Sequence, residues 1–584
     1  MSTHCRTREI RRRDVRVPDA LQRMDINPLL KRVYANRAIE SPEQISYALE
    51  HLLGFDGLKG IDTAARIVAD AIAAQRKILI VGDYDADGAT STALVIRALH
   101  AFGFDNVYYL VPNRFEYGYG LTPKIVELAA TRKPDVLITV DNGISSIDGV
   151  LAAKQHHMQV VITDHHLPAQ QLPQADAIVN PNQPGCDFAS KSIAGVGVAF
   201  YLMLAVRAEL RRRNWFDQRP EPNMAALLDL VALGTVADVV PLDRNNRILV
   251  EFGLRRIRGG HCCEGIRALF DVAGKDISQC SSSDLGFFIA PRLNAAGRLD
   301  DMSAGIECLI TDSAPTALSI AAELNELNQQ RKQIEQGMLQ QALESFEQVL
   351  EEFGEGSGRQ PVKAGLCLFD RQWHQGVIGL LAARIKERFH RPVIAFADAG
   401  DGELKGSARS IPGLHIRDTL DAIATRHPGL ISKFGGHAMA AGLSLRQECY
   451  EDFRLAFERE VAASLSEGEL QEVLETDGNV RPDEMSIETA EIIKSAGPWG
   501  QHFPEPMFDD DFEILNWKIV GEKHIKMQLR QPGGAPVDAI AFNTLAEDLP
   551  ATDTVRAAYR MDVNAFRNRR SLQLIVACIV EPTR

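Results

Sequence analysis

The chain has 584 residues, 45% of them hydrophobic and 24% charged, with 64 Lys and Arg against 78 Asp and Glu. That length suggests about three to five domains, and the ordinary composition excludes a collagenous, coiled-coil or largely disordered chain. A net charge of −14 argues against nonspecific coating of duplex DNA but leaves room for a local basic groove.

Residues 1–45 read as an N-terminal extension of little periodicity. Met1 to Arg37 carries ten Lys or Arg and four Asp or Glu. Its opening, MSTHCRTREIRRRDVRVPDA, has no apolar core of a secretory signal. With no run near the ~18 apolar residues of a membrane span, a cytoplasmic location and no membrane contact are expected. The nine Cys lack CxxC spacing and are expected to be buried thiols. From Lys77 strands and helices alternate: KILIVGD (77–83), a helix from Gly88 to Phe102, a strand over 106–111, a helix over 123–131, then DVLITVDNG (135–143), QVVITDHH (159–166) and AIVNP (177–181). Continuous apolar strands between helices predict a parallel sheet covered on both faces. Helical patterns follow to about Phe270.

A long helix is predicted from Thr316 to Phe353, spanning roughly 57 Å at 1.5 Å per residue, then a linker over 354–361. A second α/β unit follows, with strands at 364–369, 392–397 and 403–409 and helices at 377–389, near Ile416 and at 448–464. After Pro498 short alternating strands suggest a small β-barrel. Trp499, Phe503, Phe508 and Trp517, with Lys523, His524, Lys526, Arg567, Arg569 and Arg570, could give it aromatic platforms and a cationic groove for single strands, although at least half of such aromatics would ordinarily fill the barrel core. The domains are expected at 46–312, 313–358 (connecting helix and linker), 359–465 and 466–584.

Acidic residues fall where the strands end. The first predicted strand of the sheet runs into Asp83-Tyr84-Asp85-Ala86-Asp87-Gly88, the third into Asp141-Asn142-Gly143, the fourth into Asp164-His165-His166, and Asp238 follows an apolar helical run. Sites in open α/β sheets form at the carboxyl ends of the strands. A lone Asp there is most often a helix cap. DxDxDG alone also resembles the start of a calcium loop, but Leu94 stands where that loop needs Glu. Several carboxylates brought to one crevice repel one another and are costly to bury, a conflict that a divalent cation removes. Mixed carboxylate and imidazole ligands suit Mn²⁺ and a mainly oxygen set suits Mg²⁺. No Walker-type GxxxxGK[ST] occurs, so ATP dependence is not expected.

DYDADG, DNG and DHH in this order resemble the DHH phosphoesterase superfamily, and FGGHAMAAG (434–442) resembles the glycine-rich motif of its associated DHHA1 domain. PNRFEYGYG (112–120), APRLNAAGR (290–298), HQGVIGLLAARI (374–385) and GSARS (406–410) extend the likeness toward the superfamily's exonucleases specific for single-stranded DNA, over about residues 45–584. The resemblance implies an α/β fold: a parallel-sheet DHH domain joined by a long helix to a smaller α/β DHHA1 domain, followed by a C-terminal OB-fold barrel. It implies two divalent ions, Mn²⁺ or Mg²⁺, held by Asp85, Asp87, Asp141, His165 and Asp238, with Asp141 as the bridge. Asp83 would support the first site, and Asp164 and His166 would orient His165 or touch phosphate. The chemistry implied is phosphodiester hydrolysis in the 5′→3′ direction, releasing nucleoside 5′-monophosphates in DNA repair and recombination, alongside a single-strand-binding protein and a helicase.

The glycines of the second motif either permit close packing or bring backbone amides of Gly435 and Gly436 to a phosphate, with His437 donating beside them. The resemblance favours the second reading. Ser407 and Arg409 point to one face of a strand and could hold a 5′ phosphate, with Arg114, Arg292 and Arg298 along the same path. The alternatives are a DHH phosphodiesterase for short oligoribonucleotides or cyclic dinucleotides, a pyrophosphatase, and an inactive DNA-binding relative. The first two do not call for the barrel, and a dead site would not retain every metal-matched acid and imidazole.

Overall fold

The structure is a computed structural model that describes residues 9–112, 120–354, 363–466, 468–521, 524–544, 546, 549–550, 552–566 and 569–582. Arg114 with most of PNRFEYGYG, the linker over 355–361, Lys523 and Arg567 lie outside the described residues. The chain folds as two compact units, one of residues 14–328 and 488–506, the other of residues 1–13, 329–487 and 507–584.

Chain order begins with a short strand, β1 (Glu9–Arg12), and continues in the first unit with a five-stranded sheet of β2 (Ile78–Gly82), β3 (Val107–Leu110), β4 (Val136–Val140), β5 (Gln159–Thr163) and β6 (Ala177–Val179). Its order is β3-β2-β4-β5-β6 and every neighbouring pair is parallel. β2 and β4 are buried along their whole length, as uninterrupted Ile, Leu and Val runs require of a sheet covered on both faces. Gly82 pairs with Val140, and Val140 with Thr163. This register places Asp83, Asp141 and Asp164, each the next residue in its chain segment, side by side at one sheet edge. The surrounding helices include α1 (Ala86–Ala101), α2 (Gly195–Arg212), α3 (Leu228–Ala237) and α4 (Ala290–Leu299).

The predicted long helix is α5 (Ala314–Gly354), 41 residues. In its first half Ala317, Ala321 and Leu324, at i, i+4 and i+7, are fully buried in the first unit. In its second half Glu335 accepts from Arg384, and Gln341 accepts from the indole of Trp373 at 3.2 Å.

The second unit holds a five-stranded sheet of β7 (Leu366–Phe369), β8 (Val393–Asp398), β9 (Glu403–Arg409), β10 (Lys433–Gly436) and β11 (Ala440–Arg446) in the order β10-β11-β9-β8-β7. Only β7 and β8 run parallel. The glycine-rich motif, for which sequence pattern predicts no strand, is therefore a β-hairpin. The same unit ends in a closed barrel of β13 (Phe508–Val520), β14 (His524–Arg530), β15 (Pro536–Phe542), β16 (Thr554–Phe566) and β17 (Arg569–Val580), with Phe508, Phe512 and Tyr559 in its core.

The extension of little periodicity carries a short strand: β1 pairs in parallel with β12 (Val473–Thr476), and Arg12 forks onto the Asp509 carboxylate at 3.0 and 3.1 Å. One expectation is corrected. Trp499 and Phe503 are not barrel platforms. They stack on each other in the first unit, with Arg37 over the indole and Arg247 over the Phe503 ring. Phe508 is buried core, and Trp517, 46% exposed, keeps a surface position.

Candidate metal centre

Asp85 is the N-cap of α1, its Oδ1 accepting from the amides of Asp87 and Gly88 at 3.0 and 3.1 Å. The ordinary cap reading is thus correct for this residue, and it also belongs to a cluster. Ligand atoms of Asp83, Asp85 and Asp141 lie within 4.8 Å of one another, as do those of Asp87, His165 and Asp238, and those of Asp141, His165 and His166. His165 Nε2 stands 3.1 Å from Asp141 Oδ1 and 3.4 Å from Asp238 Oδ2. Asp141 itself adopts the left-handed conformation, φ 61°, which Asp tolerates better than most residues.

Backbone and amide groups hold the cluster in place. Both oxygens of Asp87 accept amides from the start of α2, Gly195 at 2.7 Å and Val196 at 2.9 Å. Gly195 is required by close approach, since a Cβ there would sit 2.5 Å from Asp141 Oδ1. Asn142 donates to the carbonyls of Val81 and Val140, tying the ends of β2 and β4. Asn182 and Asn180 donate to the carbonyls of His165 and His166. Asp164 is committed to its own loop: one oxygen accepts the amides of His165 and His166 and the imidazole Nδ1 of His166 at 2.7 Å, and the other accepts Ile144 N–H. Asp164 and His166 therefore shape the loop that carries His165. Sequence pattern does not single out Gly195, Val196, Asn180 or Asn182, and it shows Asn142 only as the middle of the DNG motif. The Gly-x-Gly at the start of α2 is the one signal for Gly195.

The electrostatics are those of an anionic cluster short of positive charge. Burial, then the neighbouring carboxylates, push Asp87 up to about 7 and hold Asp141 and Asp238 well above the usual carboxylate range. Asp164 goes the other way: burial opposes it, but the hydrogen bond and charge of His166 bring it below that range. Neither Asp85, Asp87 nor Asp238 has an ion pair with Lys or Arg among the described residues. The buried Oδ2 of Asp238 accepts no hydrogen bond among them. Two oxygen-rich groups of three, one with an imidazole, fit divalent cations in number, charge and donor type.

In the second unit Arg409 donates to Ser407 Oγ at 3.1 Å and to the Ala408 carbonyl. Both side chains lie against Gly379 at the start of α6 (Ile378–Phe389). Burial lowers the pKa of this guanidinium, and no carboxylate forms an ion pair with it among the described residues. Gly435 and Gly436 lie in β10, paired with Gly442 and Ala441, and the amide of His437 closes the hairpin on the Ala440 carbonyl at 2.8 Å. His437 is exposed. In the first unit Arg292 is buried, donating to Asn325 and to the Phe288 carbonyl, whereas Arg298 is half-buried in the last turn of α4.

Three family models match along the chain: the DHH family N-terminal domain over residues 77–235, the DHHA1 domain over 362–463 and the RecJ OB domain over 476–577. The class is thus a DHH protein with both accessory domains. The single-stranded-DNA-specific exonuclease RecJ of Dickeya dadantii is 52% identical over 576 residues, covering 97% of this chain and 98% of that protein. RecJ of Escherichia coli is 50% identical over 573 residues with the same coverage. The crystal structure of Thermus thermophilus RecJ in complex with Mn²⁺ superposes with a TM-score of 0.80 at 28% identity, covering 99% of this chain and 80% of that one. The chain belongs to the DHH family, and within it to the RecJ proteins.

Proposed function

We propose that this chain is a divalent-metal-dependent exonuclease that hydrolyses single-stranded DNA in the 5′→3′ direction to nucleoside 5′-monophosphates. The observation that carries the reading is the buried cluster of Asp and His at the carboxyl edge of the sheet, whose raised carboxyl pKa values mark a missing positive charge. Its support is 50% identity or more, over nearly the whole chain, to single-stranded-DNA-specific exonucleases. Asp83, Asp85 and Asp141 would hold one ion and Asp87, His165 and Asp238 the other, with Asp141 Oδ1 also 3.1 Å from His165 Nε2. Bound there, two Mn²⁺ or Mg²⁺ ions would supply Lewis acidity for phosphodiester hydrolysis.

The chain's own residues do the rest. The amides of Gly195 and Val196 hold Asp87 facing the cluster. Asp164 fixes the turn that aims His165, with His166 locked to it. Arg409, desolvated and with no carboxylate partner among the described residues, pairs with Ser407 to hold the 5′ phosphate, with Gly435, Gly436 and His437 donating to phosphate oxygens. Arg298 and Arg114 add cationic charge to the DHH domain, while buried Arg292 serves α4. The working domains are 46–312, 313–358, 359–465 and 466–584. The barrel binds the trailing single strand through exposed Trp517 and nearby cations. The setting is DNA repair and recombination in the cytoplasm, with a single-strand-binding protein and a helicase supplying the strand. No described helix is long and apolar enough to cross a membrane.

The test uses 5′-labelled and 3′-labelled single strands and their blunt duplexes, with Mn²⁺ or EDTA. Rapid release of the 5′ label as mononucleotide, from single strands only and with metal only, is expected. Cleavage confined to oligomers of a few nucleotides would instead point to a short-oligonucleotide phosphodiesterase, and binding without cleavage to an inactive relative.

A further inference from the structure

The four leading amides of α1 are all satisfied, but one is satisfied from outside the loop. Asp85 Oδ1 takes the amides of Asp87 and Gly88, and its carbonyl takes Ala89. The first amide, that of Ala86, donates to the side-chain oxygen of Asn294 on α4 at 2.8 Å. One turn on, Gly297 packs on the same loop so closely that a Cβ would lie 1.8 Å from the Tyr84 carbonyl oxygen. α4 thus grips the Asp83–Asp87 segment at two points, between its acidic residues.

α4 is itself held from behind. It emerges from a π-helical turn, Leu285–Ile289, whose preceding turn is closed by a reciprocal Ser281–Asp284 capping box. Arg292 ties it to Asn325 of α5 at 3.0 Å and to the Phe288 carbonyl. Irregular helical turns of this kind recur at functional sites. A hydrogen bond to a single amide adds little to a buried helix start, yet an amide left without a partner is costly. The bond's main consequence is therefore to set where Asp85 and Asp87 point.

We propose that α4 is a clamp that presets the acidic loop for metal, with Asn294 as its positioning residue and Arg292–Asn325 as its anchor. The clamp rests on the metal reading above. It acts through the loop and touches neither ion nor substrate. Groups that orient metal ligands in this way typically change metal affinity by about 10- to 100-fold when removed.

The experiment measures Mn²⁺ binding by the full-length chain, by calorimetry and by the electron paramagnetic resonance of free Mn²⁺, together with the Tm of the metal-free protein. Asn294→Ala, and Asn294→Leu with similar shape but no acceptor, are expected to weaken Mn²⁺ binding at least about 10-fold, with Tm lowered by no more than about 5 °C by the stranded Ala86 amide. Asn294→Asp keeps an acceptor at the same reach and is expected to bind within about threefold of wild type. Asn325→Ala, which frees the Arg292 side chain at the far end of the clamp, is expected to weaken binding in the same direction by a smaller factor, about threefold. Unchanged Mn²⁺ binding in the Ala and Leu variants overturns the clamp alone. So does an Asp variant that falls with them, or a loss of binding matched by collapse of Tm in both. A wild-type chain that binds no Mn²⁺ overturns the metal reading and the clamp with it.

Discussion

Two aspartate-rich segments of this chain differ in how far their charge is compensated. In the sheet of the first unit, Asp83, Asp85, Asp87, Asp141 and Asp238 converge, and burial with mutual repulsion raises the pKa of Asp87, Asp141 and Asp238. At the start of the barrel, Asp509-Asp510-Asp511 is as dense in sequence, but the chain supplies its counter-charges. Asp509 accepts from Arg12, from Arg556 at 2.7 Å and from Thr476, while Asp510 accepts from the Tyr559 hydroxyl at 2.6 Å and from the Val480 amide. Burial opposes ionisation of Asp509, yet those partners carry its pKa below the ordinary value. Crowding of acids is therefore no sign of a site. Crowding without matching cations is.

The largest expected effect is on chemistry. Asp141→Asn should lower hydrolysis of single strands by at least about 10³-fold, as removal of a central catalytic group does. The metal-free protein should meanwhile become more stable, because the change removes a buried like charge. A loss of both activity and stability would mean that Asp141 has internal partners comparable to those of Asp509. Asp509→Ala should do the reverse, leaving metal binding intact but costing about 3 kcal/mol in barrel stability by stranding Arg12 and Arg556. Urea unfolding followed by Trp517 fluorescence would report it. Mn²⁺ at about a hundred times its dissociation constant should stabilise the first unit by about 2.7 kcal/mol. That gain should be absent in Asp238→Asn and retained in Asp509→Ala, read as the Tm difference with and without EDTA.

Much of this is legible in the amino-acid pattern. The strands of the first sheet end where apolar runs meet acidic residues, so Asp83, Asp141 and Asp164 can be put at one edge from pattern alone. The residues that hold them cannot. Gly195 and Val196 act through backbone amides, which have no side-chain signature, and Asn294 works across a register that only tertiary packing creates. The hairpin β10–β11 is hidden because glycine weakens strand signals. β1 is hidden because EIRR shows no alternation and its partner, Val473–Thr476, is far away in the chain. Nearness in sequence assigns Trp499 and Phe503 to the barrel, yet they pack with Tyr34, Arg37 and Arg247 in the other unit.

The smallest effect lies within the barrel's own acidic run, where two neighbours differ in sign. Burial is the main cause that pushes Asp510 up from 3.8 to about 6, outweighing its hydrogen bonds from Tyr559 and Val480. In the window between those values the folded protein binds this proton and the unfolded chain has released it, so stability falls as pH rises from about 4 to about 6 and is flat above. Asp509, with its pKa lowered, contributes stability that is present above 3.8 and is lost as pH falls through its folded value. The two slopes occupy different ranges, so each can be removed separately. Asp510→Asn keeps an oxygen for Tyr559 and should flatten the decline between pH 4 and 6, gaining about 3 kcal/mol at pH 7.5, as a shift from 3.8 to about 6 implies. Its acid limb, which belongs to Asp509, should remain. Urea midpoints from about pH 2 to about pH 7.5 would separate the two, and an unchanged slope between 4 and 6 would show that Asp510 is as well compensated as its neighbour.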